Sequence, residues 1–309
     1  MRRPEHVLSR LAALAPNRKF DATAETAVTL GLVDEADVRR HRRANAAFVW
    51  SYYVRFARLA TRRGRARQNG AFVAIGVSNL EQIKESGRGA IVLSVHLGDF
   101  DAAGAWLVAE HGLTPVVVGR RITPRWRHAL FTGVRRRCGV LTRTAESTTI
   151  ADLEEDLVHG RLVLVMLDRR PPGATLTTNL LGRPSVASSA VINCAVRTGA
   201  PLFVAATWRT ATGRPVAWFG QPTVVDSQAD AVRALIDAAE SLGGMIRTHP
   251  AQWHVPADLA ELAIAPPPTT VAASAIARHA SRLSVAGRAQ FRGNAPMRPS
   301  AEAHNRTAR

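Results

Sequence analysis

The stretch Ile91-Val-Leu-Ser-Val-His96-Leu-Gly-Asp-Phe-Asp101 decides the fold. Ile91 to Val95 is a short, apolar, β-branched run and reads as a buried strand. His96 stands at its C-terminal end. Gly98 and Asp99 break the strand, and Phe100 to Glu110 reads as a helix closed by Gly112. Open α/β sheets carry their ligand chemistry at the C-terminal ends of strands, which is where this strand–turn–helix unit puts the histidine. On one continuous helix, His96 and Asp101 would lie roughly 140° apart. With His96 in the turn and Asp101 in the first helical turn, the aspartate tilts back toward the imidazole. A polar loop histidine, and an Asp101 that only complements a helix N-terminus, remain the alternatives at this point.

Working outward, Ala71 to Val77 reads as a strand and Asn79 to Glu85 as a short helix. Pro115 to Gly119 is a second apolar strand, with Arg120 and Arg121 at its end. Pro124 to Cys138 is a basic helix ended by Gly139. Thr149 to Asp152 is a capping box for a helix running to Gly160. Leu162 to Leu167 is a third apolar strand, ending on Asp168 and Arg169. Three strands thus present polar groups where their apolar runs stop: His96, Arg121 and Asp168. Such a set reads as a site. Farther on, Thr175 to Leu181 reads as a strand and Ser188 to Thr198 as a helix. Leu202 to Trp208 is a strand turning at Gly213 into Pro215 to Phe219. Asp226 or Ser227 caps a long helix reaching Arg247. The expected fold is a single α/β domain over residues 1–264, with a mixed, mainly parallel sheet flanked by helices. Residues 1–70 are its helical N-terminal part and 71–264 its α/β part.

The 309 residues can bury a full core, and 46% of them are hydrophobic. The formal charge is +17, and of 41 basic residues only Lys19 and Lys84 are lysine. The arginines are spread over the whole chain, which reads as composition more than as a nucleic-acid footprint, although such a charge favours anionic surfaces. Two cysteines, Cys138 and Cys194, make no disulfide framework and no metal spacing; they read as buried small hydrophobes in a reducing compartment. No apolar run approaches the ~20 residues of a membrane span, and Leu11 to Ala15 is too short for a signal core. The expected location is cytoplasmic, at most peripheral on the inner face of the cell membrane.

Two segments stand apart. Phe48, Trp50, Tyr52, Tyr53 and Phe56, interleaved with Arg55 and Arg58, form an aromatic and basic helix. It reads either as core packing with an arginine face or as a surface for lipid. Residues 265–309 open on three prolines and carry seven arginines against one acid, Glu302. This tail has too few large apolar residues to build a core and reads as disordered or as a basic tether.

The chain has no G-x-S-x-G elbow, no phosphate loop and no zinc signature. Ser185 reads as a residue leading into a helix, and His249, Trp253 and Trp106 as packing. What remains is a histidine with carboxylates and arginines and no obvious protein nucleophile. That set suits general-base catalysis: a neutral imidazole takes the proton of an attacking hydroxyl, a carboxylate fixes the tautomer, and arginine or helix N-terminal amides meet a developing oxyanion. Activation of water by the same base, giving thioester hydrolysis, stays open.

His96-Leu-Gly-Asp-Phe-Asp101 resembles the H-x4-D block of lysophospholipid-type acyltransferases. Within that superfamily the chain is most similar to the bacterial lipid A late acyltransferases and the phosphatidylinositol mannoside acyltransferases. The resemblance extends in order through Gly87-Arg-Gly89, Val118-Gly-Arg-Arg121 with Arg135 to Gly139, and Val165-Met-Leu-Asp168-Arg169. It continues through Leu180-Leu-Gly182, Arg197 to Pro201, and His249-Pro-Ala-Gln-Trp253-His254. It implies an O-acyltransferase of lipid biosynthesis with His96 as general base, Asp101 as the motif acid and Asp168 as the carboxylate that assists the histidine. Arg121, Arg169 and Gly98 would serve the donor, the acceptor or the oxyanion. It further implies acyl-CoA or acyl carrier protein as donor, a hydroxyl, with an amine as the second choice, of a lipid, glycolipid or natural product as acceptor, and neither metal nor redox cofactor. Two departures bear on the acceptor: Arg120-Arg121 stands where Glu-Arg is common, and Asp168 is shorter than the glutamate of the mannoside enzymes. A non-catalytic lipid- or membrane-binding protein of the same fold is the rival reading.

Overall fold

The computed structural model describes residues 17–254, apart from 172 and 174. The basic tail at 265–309 lies outside the described residues. The chain is an α/β protein built on a seven-stranded sheet in the order β1-β9-β8-β2-β5-β3-β4. The strands are β1 (Val73–Ile75), β2 (Ala90–Ser94), β3 (Pro115–Gly119), β4 (Leu141–Thr144), β5 (Leu162–Met166), β8 (Leu202–Arg209) and β9 (Pro215–Phe219). Every pairing is parallel except β8 with β9, which the turn at Gly213 joins as a hairpin. A second, two-stranded sheet pairs β6 (Thr175–Leu180) with β7 (Arg183–Ser188).

β2 shows why the sheet sits at the centre. All five of its residues are buried. Ile91 and Leu93, with Val95 just beyond, face one cluster; Ala90 and Val92 face another. The first cluster is completed by α7 (Ile150–Val158), α8 (Ser189–Thr198) and α9 (Gln228–Thr248). The second is completed by α4 (Val77–Glu85) and α5 (Phe100–His111), with Trp106 fully enclosed as core. A strand covered on both faces is apolar nearly throughout, so the run from Ala90 to Val95, interrupted only by Ser94, is the sequence counterpart of this three-layer arrangement. Each such side chain contributes about 1.5–3 kcal/mol by leaving water.

The N-terminal region is helical: α1 (Arg18–Thr29), a 3₁₀ turn at Glu35–Asp37, α2 (Val38–Leu59) and the short α3 (Arg62–Ala66). α2 is the aromatic and basic helix. Tyr52 and Phe56 are buried, and Phe56 stacks on Phe131 of α6 (Arg125–Arg137) at 4.7 Å between centroids. A third cluster of Phe56, Leu59, Ala105, Val134 and Cys138 joins α2, α5 and α6. Core packing therefore claims most of the aromatics of α2, leaving Trp50 and Val54 exposed.

Several sequence expectations change. The strand expected over 71–77 spans only Val73–Ile75, because Gly76, at φ 77°, turns the chain and Val77 already opens α4. Ser185 does not lead into a helix: it lies in β7, fully buried, and its hydroxyl donates to the Leu167 carbonyl at 2.6 Å. β4 was not expected. Its sequence, Leu-Thr-Arg-Thr, carries no apolar run because Arg143 lies across the buried Asp156 of α7, at 2.5 and 2.9 Å, and Arg161 meets the same carboxylate at 2.7 Å. The capping box at Thr149 and Asp152, the Ser227 cap of α9 and the two buried cysteines stand as read.

Candidate functional site

β2, β5 and β3 are neighbours in the sheet, so the residues beyond their C-terminal ends meet along one edge. Asp168, just past β5, lies beside His96, just past β2. Asp168 is completely buried and accepts three N–H groups. The Nδ1 of His96 approaches one carboxylate oxygen at 2.8 Å. The His96 backbone N–H and the Trp253 indole N–H both donate to the other oxygen, at 2.8 Å each. Burial by itself pushes the Asp168 carboxyl up. The adjacent imidazole and the three hydrogen bonds overcome that and hold its pKa below the ordinary carboxylate value. A charged carboxylate only accepts, so His96 Nδ1 carries the ring proton. In the neutral form of the ring Nε2 is then the acceptor nitrogen, and the ring lines a cleft.

Phe100 meets the imidazole edge to face, at 5.1 Å and 87°. Gly98 shapes the loop between them. Its φ is +67°, and a Cβ there would come within 2.2 Å of the Thr207 carbonyl oxygen. The loop is drawn that close to β8 by the Thr207 hydroxyl, which donates to the Leu97 carbonyl at 2.8 Å. The Gly98 N–H is itself spent on the Gln252 carbonyl at 3.1 Å. Gly98 therefore provides backbone clearance here, and its amide is not turned to a substrate.

Asp101 does not lean toward His96. It sits at the start of α5 facing the seam between α2 and α6. There its carboxylate accepts the Tyr52 hydroxyl and the Arg135 guanidinium, the latter at 2.7 and 3.4 Å. Burial and the Asp101 charge together raise the Tyr52 pKa well above its ordinary value. The seam supplies stronger partners for a buried carboxylate than a neutral imidazole would. Two residues earlier, the buried Asp99 accepts Arg55 Nε from α2 at 2.9 Å, with the guanidinium in ion-pair contact at 2.7 Å, and Arg209 from the end of β8 at 2.5 Å. The two aspartates anchor the turn between β2 and α5, each with one partner from α2, and Phe100 between them faces the imidazole.

Sequence reading missed Asp99, Tyr52, Arg55, Arg135 and Arg209 as partners, and took Trp253 for packing alone. The repeated acid in His96-x-x-Asp99-x-Asp101 was the available signal for the first of these. Trp253 is fully buried, and its segment is tied to the loop after β2: Leu97 and Trp253 form an antiparallel bridge, and the His254 N–H donates to the His96 carbonyl at 3.0 Å. His254 is buried too. Its Nε2 lies 2.9 Å from the Gly98 carbonyl, and burial lowers its pKa to about 4. Asn45 of α2 donates to the carbonyls of Ala251 and Trp253, at 3.2 and 2.7 Å.

The cleft has a volume of ≈ 370 Å³, within the ~300–1,000 Å³ usual for small-molecule sites. From His96 and Phe100 it runs between β3, β5, α5, α7 and α8. Gly104, Val117, Val140, Ile150, Leu153 and Val191 make an apolar wall. Arg120, Arg169 and Arg170 also line it. Of the two arginines after β3, Arg120 reaches the cleft; Arg121 is exposed, with its backbone N–H 3.3 Å from Glu146. Among the described residues no group of acids, histidines and cysteines could hold a metal ion, and no helix is long and apolar enough to cross a membrane.

The sequence profile described as bacterial lipid A biosynthesis acyltransferase matches residues 5–255. Curated relatives named phosphatidylinositol mannoside acyltransferase are similar. Two come from strains of Mycobacterium tuberculosis. One is 30% identical over 185 residues, 58% of this chain and 57% of its own length. The other is 30% identical over 211 residues, 66% and 65%. A third, from Mycolicibacterium smegmatis, is 28% identical over 185 residues, 59% and 60%. The matched part of the chain thus spans about three fifths of each relative.

Proposed function

Because the chain belongs to the bacterial lipid A biosynthesis acyltransferase family, we propose that it transfers an acyl chain from a thioester to the hydroxyl of a lipid or glycolipid, with His96 as general base. The observation that carries this reading is the His96–Asp168 pair. It holds the imidazole through Nδ1, and the ring lines an apolar cleft that suits an acyl chain.

In the step we propose, His96 Nε2 takes the proton of the acceptor hydroxyl as its oxygen bonds to the thioester carbon. Asp168 stabilises the imidazolium that forms. The tetrahedral intermediate collapses with cleavage of the carbon–sulfur bond, and the imidazolium returns its proton to the departing thiolate. The acyl chain lies along Val117, Val140, Leu153 and Val191. Arg120, Arg169 and Arg170 receive the anionic part of the donor, acyl-CoA or acyl carrier protein, because guanidinium groups pair well with phosphate. Arg121 stands one residue outside this group and takes part only by adding positive potential. Asp101 acts as a positioning residue through Arg135 and the turn. No metal or redox cofactor enters the scheme. The relatives' names favour a glycolipid among the acceptors proposed. We also propose that it works at the inner face of the cell membrane, as a peripheral protein.

The test is release of free thiol from a panel of acyl-CoAs and acyl carrier protein thioesters, by wild type and His96→Ala, with and without a glycolipid extract. Release that requires His96 and rises with acceptor supports the proposal. Release indifferent to acceptor makes the protein a thioester hydrolase. No release with any donor leaves the non-catalytic lipid-binding reading.

A further inference from the structure

α6 touches the cleft at its two ends. Arg120 and Ile122 line the cleft just before the helix begins, and Arg135 lines it near the end. The inward side of α6 is occupied: Phe131 packs on Phe56 and Tyr53, Val134 is buried, and Arg135 holds Asp101. On the outward side Trp126 and Leu130 are 67% and 52% exposed, the former the most exposed aromatic ring among the large exposed hydrophobics. Four residues apart, they lie within roughly 40° of each other on the helix and more than about 100° from Phe131. Arg125, Arg127, Arg136 and Arg137 are exposed around them, and α6 contains no acidic residue. Glu146, past β4, accepts from the Arg121 amide.

We infer that the outward face of α6 docks on an anionic lipid bilayer, with Trp126 and Leu130 entering the headgroup boundary and the surrounding arginines meeting lipid phosphates. An exposed tryptophan and leucine within a field of guanidiniums is the composition that interfacial helices use, and each basic side chain adds attraction to an anionic surface. The chain's own termini are poor occupants of this face. Residues 266–309 carry seven arginines and one acid, and residues 1–16 three arginines and one acid, so either would meet like charge. A nucleic acid would match the charge but not the pair, because single strands are held on successive aromatic rings and the face offers one ring and an aliphatic side chain. The inference deepens the acyl-transfer reading, since it delivers a lipid acceptor beside Ile122 and Arg120 without passing through water.

The test uses the full-length protein and sedimentation with vesicles of phosphatidylcholine, with or without phosphatidylglycerol. Wild type should partition onto the anionic vesicles and leave them as salt rises. Trp126→Ala with Leu130→Ala should weaken that partition at least tenfold. Thiol release from a short-chain acyl-CoA without vesicles should not change, and this second readout reports on the acyl-transfer reading independently. Vesicles of brominated lipid should quench tryptophan emission in wild type, and Trp126→Phe should remove most of that quenching. Unchanged partition in the double variant, or equal quenching in Trp126→Phe, would overturn the inference. So would a loss confined to binding of single-stranded RNA.

Discussion

Asn45 and Trp253, 208 residues apart in sequence, are joined by a 2.7 Å hydrogen bond from the asparagine amide to the tryptophan carbonyl. The same tryptophan gives its indole N–H to Asp168, which in turn holds His96. The orientation of the proposed base thus rests on a residue in the N-terminal helices.

Replacing Asn45 tests that chain of contacts. Asn45→Asp keeps the shape and removes the donor, setting a carboxylate against two carbonyl oxygens. It should cost about 1–3 kcal/mol of stability, as buried unmet hydrogen bonds do, and lower kcat by roughly tenfold with little effect on KM, because misplacing the base slows chemistry without touching the acyl wall. Thermal unfolding and steady-state thiol release measure the two effects.

The two carboxylates implicated with His96 should separate cleanly. Asp168→Asn should lower kcat by about a thousandfold or more, since it disturbs the tautomer and leaves the imidazolium without its countercharge. Arg135→Ala acts elsewhere: it strips the buried Asp101 carboxylate of its cation and should destabilise the fold by about 3–5 kcal/mol. Combining Arg135→Gln with Asp101→Asn should recover much of that loss, which urea unfolding of the single and double variants would show.

Gly104 should limit the length of the acyl chain. A Cβ at Gly104 would lie 3.4 Å from Val140 Cγ2 across the apolar wall. Gly104→Val should shift the preferred acyl-CoA toward shorter chains, with a loss of about tenfold or more for each methylene that no longer fits. A thiol-release profile across chain lengths reads this directly, and an unchanged profile would place the acyl chain elsewhere.

His254 gives a pH prediction. Its folded pKa is about 4, against about 6.5 for an exposed imidazole. Between those values the unfolded chain binds a proton that the folded chain does not. Stability from this residue is complete above pH ~6.5 and is lost as pH falls toward 4, by up to about 3 kcal/mol. His254→Asn lacks that term, so the stability gap between wild type and variant should narrow by about 2 kcal/mol between pH 7 and pH 5 in urea unfolding.

Much of this was legible in the sequence for a physical reason. A strand buried on both faces is apolar nearly throughout, so β2, β3 and β5 announced themselves, and so did the polar residues that end them. β4 and β7 did not, because one spends its length carrying Arg143 to Asp156 and the other buries Ser185 by hydrogen bonding it to Leu167. At the site, spacing alone brought Asp101 near His96. The opposing pull came from Tyr52 and Arg135, 49 and 34 residues away, and local geometry carries no trace of such partners. Asp168 was reachable because adjacent parallel strands share an edge.

Helix α2 makes three polar contacts with the site, through Asn45, Tyr52 and Arg55. A fragment starting at residue 71 would keep all seven strands of the sheet, His96 and Asp168. It would strip a cation from the buried carboxylate of Asp99 and a hydroxyl donor from that of Asp101, and it would free the Trp253 segment. The smallest portion able to act is therefore longer than the portion that carries the motif, and homologous pieces exchanged between relatives should be cut upstream of α2.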